Sequence, residues 1–304
     1  MQKLNLKLFQ LRLLFLLKIG PPGEESNLER SQHPISTFLA SALSLETTLT
    51  YFNRSVDNKA LENFNLIIKP GEKIGICGRS GRQEYSIIYT EEANNFFSGK
   101  SSLILTLFRM LELNSGTIFI DGLDLSTIPR HYVRRNLNAI PQDPYFVAGS
   151  IRLNLDPFST NTDALILTAL RKVKLLNTII ANGGLDGELD PETMSHGQRQ
   201  LFCLARAILR KSKIVVLDEA TSSVDRETDK LMQEIIRQEF KDCTIIAVAH
   251  RLETILDFDR IAVLDRGDLV ECDSPKNLLA KDSSFKELYD VYSSSKEDRD
   301  SSST

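Results

Sequence analysis

From Ser44 to Tyr289 the chain alternates short β-type runs with stretches whose apolar positions recur at helical spacing. Two runs, Lys213-Ile-Val-Val-Leu217 and Thr244-Ile-Ile-Ala-Val-Ala249, are almost continuously apolar. That pattern predicts strands covered on both faces, as in a parallel sheet. Between them Ser223 to Phe240 reads as a helix, so strand, helix and strand form one right-handed crossover. Earlier runs at Leu49–Phe52, Asn65–Ile68 and Gly116–Ile120 are parted by turn chemistry such as Pro70-Gly71 and suit antiparallel pairing. Ile261 to Val270 reads as a hairpin turning near Gly267. Leu201–Leu209 and Leu103–Phe108 read as helices. The pattern predicts an α/β core with an antiparallel β subdomain.

The flanks differ. Leu8 to Leu17 is the longest apolar stretch, but it contains Gln10 and Arg12 and falls short of the roughly 20 apolar residues a membrane-spanning helix needs. A basic start before a short apolar run imitates a secretory signal; a surface helix, or the remnant of a longer parent chain, is the preferred reading. Residues 19–36 are polar and rich in turn-formers, so 1–43 is assigned to an N-terminal segment and linker. Residues 290–304 are assigned to a disordered polar tail, since Ser293 to Thr304 has almost nothing apolar. The intervening 44–289 is the domain proper.

Composition narrows the classes. With 304 residues, 41% of them hydrophobic, the chain can bury a large core, and a net charge of -4 gives no general attraction to nucleic acid or anionic lipid. Cys77, Cys203, Cys243 and Cys272 are far apart and form no C-x-x-C pair, so neither a metal site nor a disulfide framework is expected.

Three stretches carry chemistry. Ile214-Val-Val-Leu217 ends in Asp218 and Glu219, and ligands gather at the carboxyl ends of parallel strands. Two carboxylates there suit Mg²⁺ binding and polarisation of an attacking water, although a strand ending in a solvated acidic turn is the plain alternative. Upstream, Met194-Ser-His-Gly-Gln198 leads into the apolar-faced helix, with Ser195 as its N-cap or one or two residues before its start. Lastly, Gly78-Arg-Ser-Gly81 begins a phosphate loop that fails the pattern G-x-x-x-x-G-K-[ST] unless sixteen residues, Arg82 to Phe97, are removed. Gly81 then joins Ser98-Gly99-Lys100-Ser101 in a full match, so residues 82–97 read as an insertion in the loop. Such a loop aims consecutive backbone N–H groups at one phosphate, and an insertion splits that nest. Lys100 and Ser101 still open a helix and offer a cation to phosphate and a hydroxyl to Mg²⁺.

In order, these stretches resemble the ABC ATPases. Met194–Gln198 resembles the family's signature, Ile214–Glu219 its Walker B, Ser222–Asp225 its D-loop, Ala249-His250-Arg251 its switch, and Pro141-Gln142-Asp143-Pro144 its Q-loop, while Tyr51 matches the aromatic that stacks on adenine. The resemblance covers about four fifths of the chain. Within the family, Leu137 to Phe158 looks most like the C-type, multidrug-resistance-associated exporters, and more narrowly like their second nucleotide-binding domain, which keeps the catalytic glutamate and often carries an altered signature. Here His196 replaces a signature glycine, a bulky side chain that argues against this signature serving a hydrolytic site.

The resemblance implies a P-loop NTPase fold of ABC ATPase type, with a mostly parallel sheet core, an antiparallel β subdomain and a helical signature subdomain. It implies ATP and Mg²⁺ as cofactors, Glu219 and His250 as catalytic, and Ser101, Gln142 and Asp218 around the metal. Nucleotide contacts fall to Tyr51, Gly78, Gly81, Ser98, Gly99, Lys100, Ser101, Ser102, Gln142, Ser195, Gly197 and Gln198. Two such domains sandwich two ATP molecules, so a second nucleotide-binding domain and transmembrane domains are the expected partners, with no nucleic acid. This chain holds no span of its own, and the expected location is the cytoplasmic face of a membrane, or the cytoplasm if unjoined. The split nest predicts weak ATP binding with little or no hydrolysis. For the insert, a translated intron or gene-model error is preferred to an evolved regulatory loop. Two alternatives are a pseudo-ATPase that binds or regulates a partner and a soluble ABC protein acting on DNA or ribosomes. Against the DNA-repair form of the latter, only 118 positions separate Lys100 from Asp218, too few for a long coiled coil.

Overall fold

A computed structural model of the chain describes residues 43–53, 56–78, 99–249 and 251–301. The linker before Leu43, the insert 82–97 with Gly81 and Ser98, and His250 lie outside these residues.

In chain order the elements are β1 (Leu43–Asn53), β2 (Val56–Ile68), β3 (Lys73–Gly78), α1 (Gly99–Leu107), β4 (Ser115–Ile120), β5 (Leu123–Asp124), α2 (Arg130–Asn136), β6 (Leu137–Ile140), α3 (Ile151–Leu155), α4 (Asp163–Lys172), α5 (Leu176–Ala181), α6 (His196–Arg210), β7 (Ile214–Asp218), α7 (Arg226–Glu239), β8 (Thr244–Val248), β9 (Arg260–Asp265), β10 (Asp268–Asp273), α8 (Pro275–Ala280) and α9 (Ser284–Ser301). They fall into two compact units, Pro129–Cys243 and Ser41–Ile128 with Thr244–Thr304.

The second of these units holds the expected antiparallel sheet, in the order β2-β1-β4-β5. Its strands β1 and β2 run longer than their apolar runs because they continue pairing toward the turn, with Tyr51 opposite Asn58. The same unit holds β3 parallel to both β8 and β9, with β10 antiparallel to β9. Ile74, Ile76, Ile246 and Ile261 are all at most 1% exposed, as the continuous apolar runs require. The hairpin between β9 and β10 turns through Arg266 and Gly267, both at positive φ, the backbone that a tight two-residue connection needs.

One charged clamp closes the turn after β2. Arg260 on β9 grips both oxygens of Glu72, and also donates to the Ile67 carbonyl at 2.6 Å. The Glu72 carboxyl in turn accepts from the Lys69 N–H at 2.6 Å. Burial pushes the pKa of Glu72 up, but the hydrogen bonds from Arg260 and Lys69 outweigh it and hold the carboxyl below its ordinary value.

In the unit Pro129–Cys243, β6 lies parallel to β7, with Leu137 paired to Ile214 and Ile140 to Leu217. Helix α6 buries Leu201, Phe202, Leu204 and Ala205, and packs against α3, α4 and β6. Helix α7 starts at Arg226, three residues later than expected, because Asp225 acts as its N-cap. Its carboxylate accepts from the N–H groups of Glu227 and Thr228, so Ser222–Asp225 stay outside the helix.

At the far end α9 is helical from Ser284 to Ser301, where composition alone predicts a disordered tail from 290. Phe285, fully buried, anchors the first turn, and each further residue then adds one backbone bond to a helix already nucleated. Lys, Glu and Arg are also good helix formers. Among the described residues no helix is long and apolar enough to cross a membrane.

Candidate nucleotide site

The phosphate-loop half begins where β3 ends. Gly78 has φ +151, and a Cβ there would lie 1.9 Å from the Leu264 carbonyl oxygen, so only glycine lets the strand end pass β9 this closely. The next described residue, Gly99, opens α1. Lys100 follows at 3% exposure, and its Nζ donates to the Gly78 carbonyl at 3.0 Å. Thus Gly78, Gly99 and Lys100 are brought together across the insert, while Gly81 and Ser98 lie outside the described residues. Ser101 is half-buried beside Lys100, and the buried Ser102 hydroxyl has no hydrogen-bond partner among the described residues. Behind the loop, burial pushes the Cys77 thiol up to about 12, so it is an inert core group. All four cysteines are free, with Cys77 and Cys203 buried and Cys243 and Cys272 half-buried.

The other unit carries the carboxylates. β7 buries Ile214 to Leu217 and releases Asp218, half-buried, at its carboxyl end. Glu219 follows with φ +49, a left-handed conformation that costs a non-glycine residue about 1 kcal/mol or more. The Ser222 N–H donates to its carbonyl at 3.0 Å, closing the turn that holds this conformation.

Ser195 is the N-cap of α6, the first of the two placements the sequence leaves open, and it forms a capping box. Its Oγ accepts from the Gln198 N–H at 3.1 Å, while the Gln198 side chain accepts from the Ser195 N–H at 2.9 Å. Gly197 is buried against α7, where an added Cβ would meet Thr228 at 3.1 Å. The signature turn is therefore packed on the turn capped by Asp225. His196 stands between Ser195 and Gly197 half-buried, and its Nδ1 is buried without a partner among the described residues.

Gln142 is exposed, in the irregular stretch after β6. Its backbone is held from α6, because the Gln200 Nε2 donates to the carbonyls of Pro141, at 3.2 Å, and of Gln142. Further along, Arg206 donates to the carbonyls of Asn154 at 2.7 Å and Tyr145 at 3.2 Å. Asn154 completes the hold, exchanging hydrogen bonds with both the N–H and the carbonyl of Val147 at 2.9 Å. Gln200, Arg206 and Asn154 escape sequence reasoning. The available signal is a polar residue, Gln200, at a core-facing position in helical register with Leu204 and Ala207.

The donor set fits the implied group. Ser101 hydroxyl, Gln142 amide and Asp218 carboxylate are all oxygen donors, which suit a hard cation such as Mg²⁺. The buried, unpartnered Ser102 hydroxyl and the Lys100 ammonium at the start of α1 suit a phosphate.

Comparison with known proteins agrees with this architecture. Residues 98–222 match the family model "ABC transporter". Over 230 residues the chain is 49% identical to the ABC multidrug transporter B of Aspergillus fumigatus, covering 75% of this chain and 15% of that protein. It is 46% identical over 224 residues to the rat ATP-binding cassette sub-family C member 3, covering 72% of this chain and 14% of that protein. The chain thus spans about a seventh of the length of these relatives. A solved bacterial Atm1-family ABC exporter with ATP bound is similar at TM-score 0.73 and 26% identity, over 84% of this chain and 43% of that one. The chain is a member of the ABC transporter family and carries its nucleotide-binding domain, of ABC ATPase fold and C type.

Proposed function

We propose that this domain binds Mg-ATP for an ABC exporter, as the second nucleotide-binding domain of a C-type transporter, working with a second nucleotide-binding domain and transmembrane domains at the cytoplasmic face of a membrane. The observation that carries the reading is the pair closing β7, with Asp218 at the strand end and Glu219 held in a left-handed conformation beside it. In this reading Tyr51 stacks on adenine, and Gly78, Gly81, Ser98, Gly99, Lys100 and Ser102 hold phosphate. Ser101, Gln142 and Asp218 surround Mg²⁺, which neutralises phosphate charge. Glu219 takes up the proton of an attacking water, and His250 steadies the phosphate, the water and the glutamate. Ser195, Gly197 and Gln198 offer the helix start of α6 to a nucleotide held by the other domain. The test is Glu219→Gln in a protein whose Gly81 is joined directly to Ser98. ATP binding should remain and turnover should vanish, and full activity would refute the assignment.

As encoded, the split phosphate nest supports weak ATP binding with little or no hydrolysis. The same insert, with His196 in the signature, favours a second reading in which the domain is a pseudo-ATPase that regulates a partner. An ATPase assay on the chain as encoded tests this second reading, because a pseudo-ATPase turns over no ATP at whatever occupancy is reached, and a measurable rate ends it.

A further inference from the structure

Helix α6 is fastened to residues 134–154 by a series of side-chain-to-backbone hydrogen bonds. Arg210 donates to the Arg134 carbonyl at 3.0 Å, and Asn138 donates to the Ala207 carbonyl at 2.8 Å. Gln200 donates to the carbonyls of Pro141 and Gln142, and Arg206 to those of Tyr145 and Asn154. Two of these donors, Gln200 and Arg206, bracket the stretch that carries Gln142. Arg206 is itself fixed, with its guanidinium 5.7 Å from the ring centroids of both Phe146 and Phe202.

Gln200 is the informative member. It is 1% exposed, and its Oε1 is buried with no partner among the described residues. Turning the amide over would set its oxygen against two carbonyl oxygens, so the two carbonyls fix the orientation and leave the Oε1 orphaned. An orphaned buried acceptor is a standing cost that an apolar side chain of the same shape would not carry. The bonded Nε2 beside the orphaned Oε1 marks the Nε2 as the useful atom. Meanwhile Gln142 is exposed, and its peptide is held by Gln200 through the carbonyl.

We infer that Gln200 is a positioning residue. Through the Pro141 and Gln142 carbonyls it fixes Gln142 relative to the helix that starts at Ser195, so that the signature turn and the Gln142 segment shift as one body. This rests on the reading that Gln142 contacts Mg²⁺. A nucleotide engaged at Ser195 then reaches Gln142 through one rigid helix.

The test uses the full chain and three proteins: wild type, Gln200→Met, which keeps the shape and removes the donor, and Gln200→Glu, which keeps the shape and presents only acceptors when ionised. Amide exchange is followed without nucleotide, together with thermal melting. The inference expects exchange of the segment 141–147 to rise about tenfold in Gln200→Met and further in Gln200→Glu, with β7 and α7 unchanged. A space-filling role predicts exchange of 141–147 near wild type in Gln200→Met, which fills the same volume. Unchanged exchange at 141–147 in Gln200→Met, or loosening spread evenly through the unit, overturns the inference. A second arm measures ATP binding against Mg²⁺. The Mg²⁺ concentration for half-maximal binding should rise several-fold in Gln200→Met while affinity at saturating Mg²⁺ stays the same, and an unshifted Mg²⁺ requirement overturns the positioning role. Because the exchange arm contains no nucleotide, failure of the ATP reading cannot mask its result.

Discussion

The Lys100 ammonium lies 3.0 Å from the Gly78 carbonyl although 22 positions separate the two residues. In an uninterrupted loop of the pattern G-x-x-x-x-G-K they are neighbours by motif, and here the contact survives the sixteen residues from Arg82 to Phe97. A buried ammonium is costly unless hydrogen-bonded, so the contact keeps the cation ready beside the start of α1.

Joining Gly81 to Ser98 should therefore restore binding more than it changes the fold. Removing sixteen residues shortens the connection by about two doublings of length, which changes the closure entropy by only about 1 kcal/mol. ATP affinity should rise by roughly 100-fold as the amide nest closes, about 2.7 kcal/mol on the usual scale. Calorimetric titration and thermal melting of the two proteins check this, and equal affinities would contradict it.

Glu219→Gly should separate stability from activity. Glycine accepts φ +49 without the steric cost a glutamate bears, so the variant should melt no lower than wild type. Turnover in the joined protein should be lost, as it should for Glu219→Gln. A marked fall in melting temperature would mean that the glutamate is held for structural reasons instead.

Ser195 has two separable duties. Ser195→Ala should cost about 1 kcal/mol by removing the cap of α6, whereas Ser195→Asp should keep it, because aspartate caps equally well. Aspartate also sets a negative charge where the nucleotide reading needs an anion to dock. Melting should thus rank Ala below Asp and wild type, while nucleotide-driven pairing of domains, followed by light scattering, should fail in Asp.

Acid should act on the Glu72–Arg260 clamp. The folded-state pKa of Glu72 lies below its unfolded one, so its contribution is complete above the unfolded value of about 4.3 and is lost as pH falls through the folded value. Arg260→Met should cost about 2 kcal/mol at neutral pH. Denaturant titrations should find the gap between wild type and variant constant from pH 7 down to about 5 and narrowing below about 4.

How much of this was legible in the sequence depends on the kind of signal. The runs at Ile214–Leu217 and Thr244–Val248 were legible because strands buried on both faces leave no polar positions to blur them. Ser195 was legible because a capping box is a local motif, with both partners inside four residues. Gln200 was not, since its partners lie 59 and 58 positions away and nothing in the local pattern names them. Arg206 would read as a charge on a solvated face, yet burial pulls its pKa below the ordinary arginine value and carbonyls and aromatic rings receive it. The start of α7 was misread because Ser223 and Val224 fit a helix by composition, while the Asp225 side chain prefers to bond the amides ahead of it.

The near-collision at Gly78 has an evolutionary side. With the Leu264 carbonyl pressed against its α-carbon, the strand end has no room for any other amino acid, so a change there is a change to the sheet itself. Three residues later, at Gly81, the chain leaves the phosphate-loop pattern for residues 82–97 and returns to it at Ser98. Selection on the sheet therefore guards Gly78 whether or not the domain turns over ATP, and a glycine kept at this position reports on folding and not on catalysis.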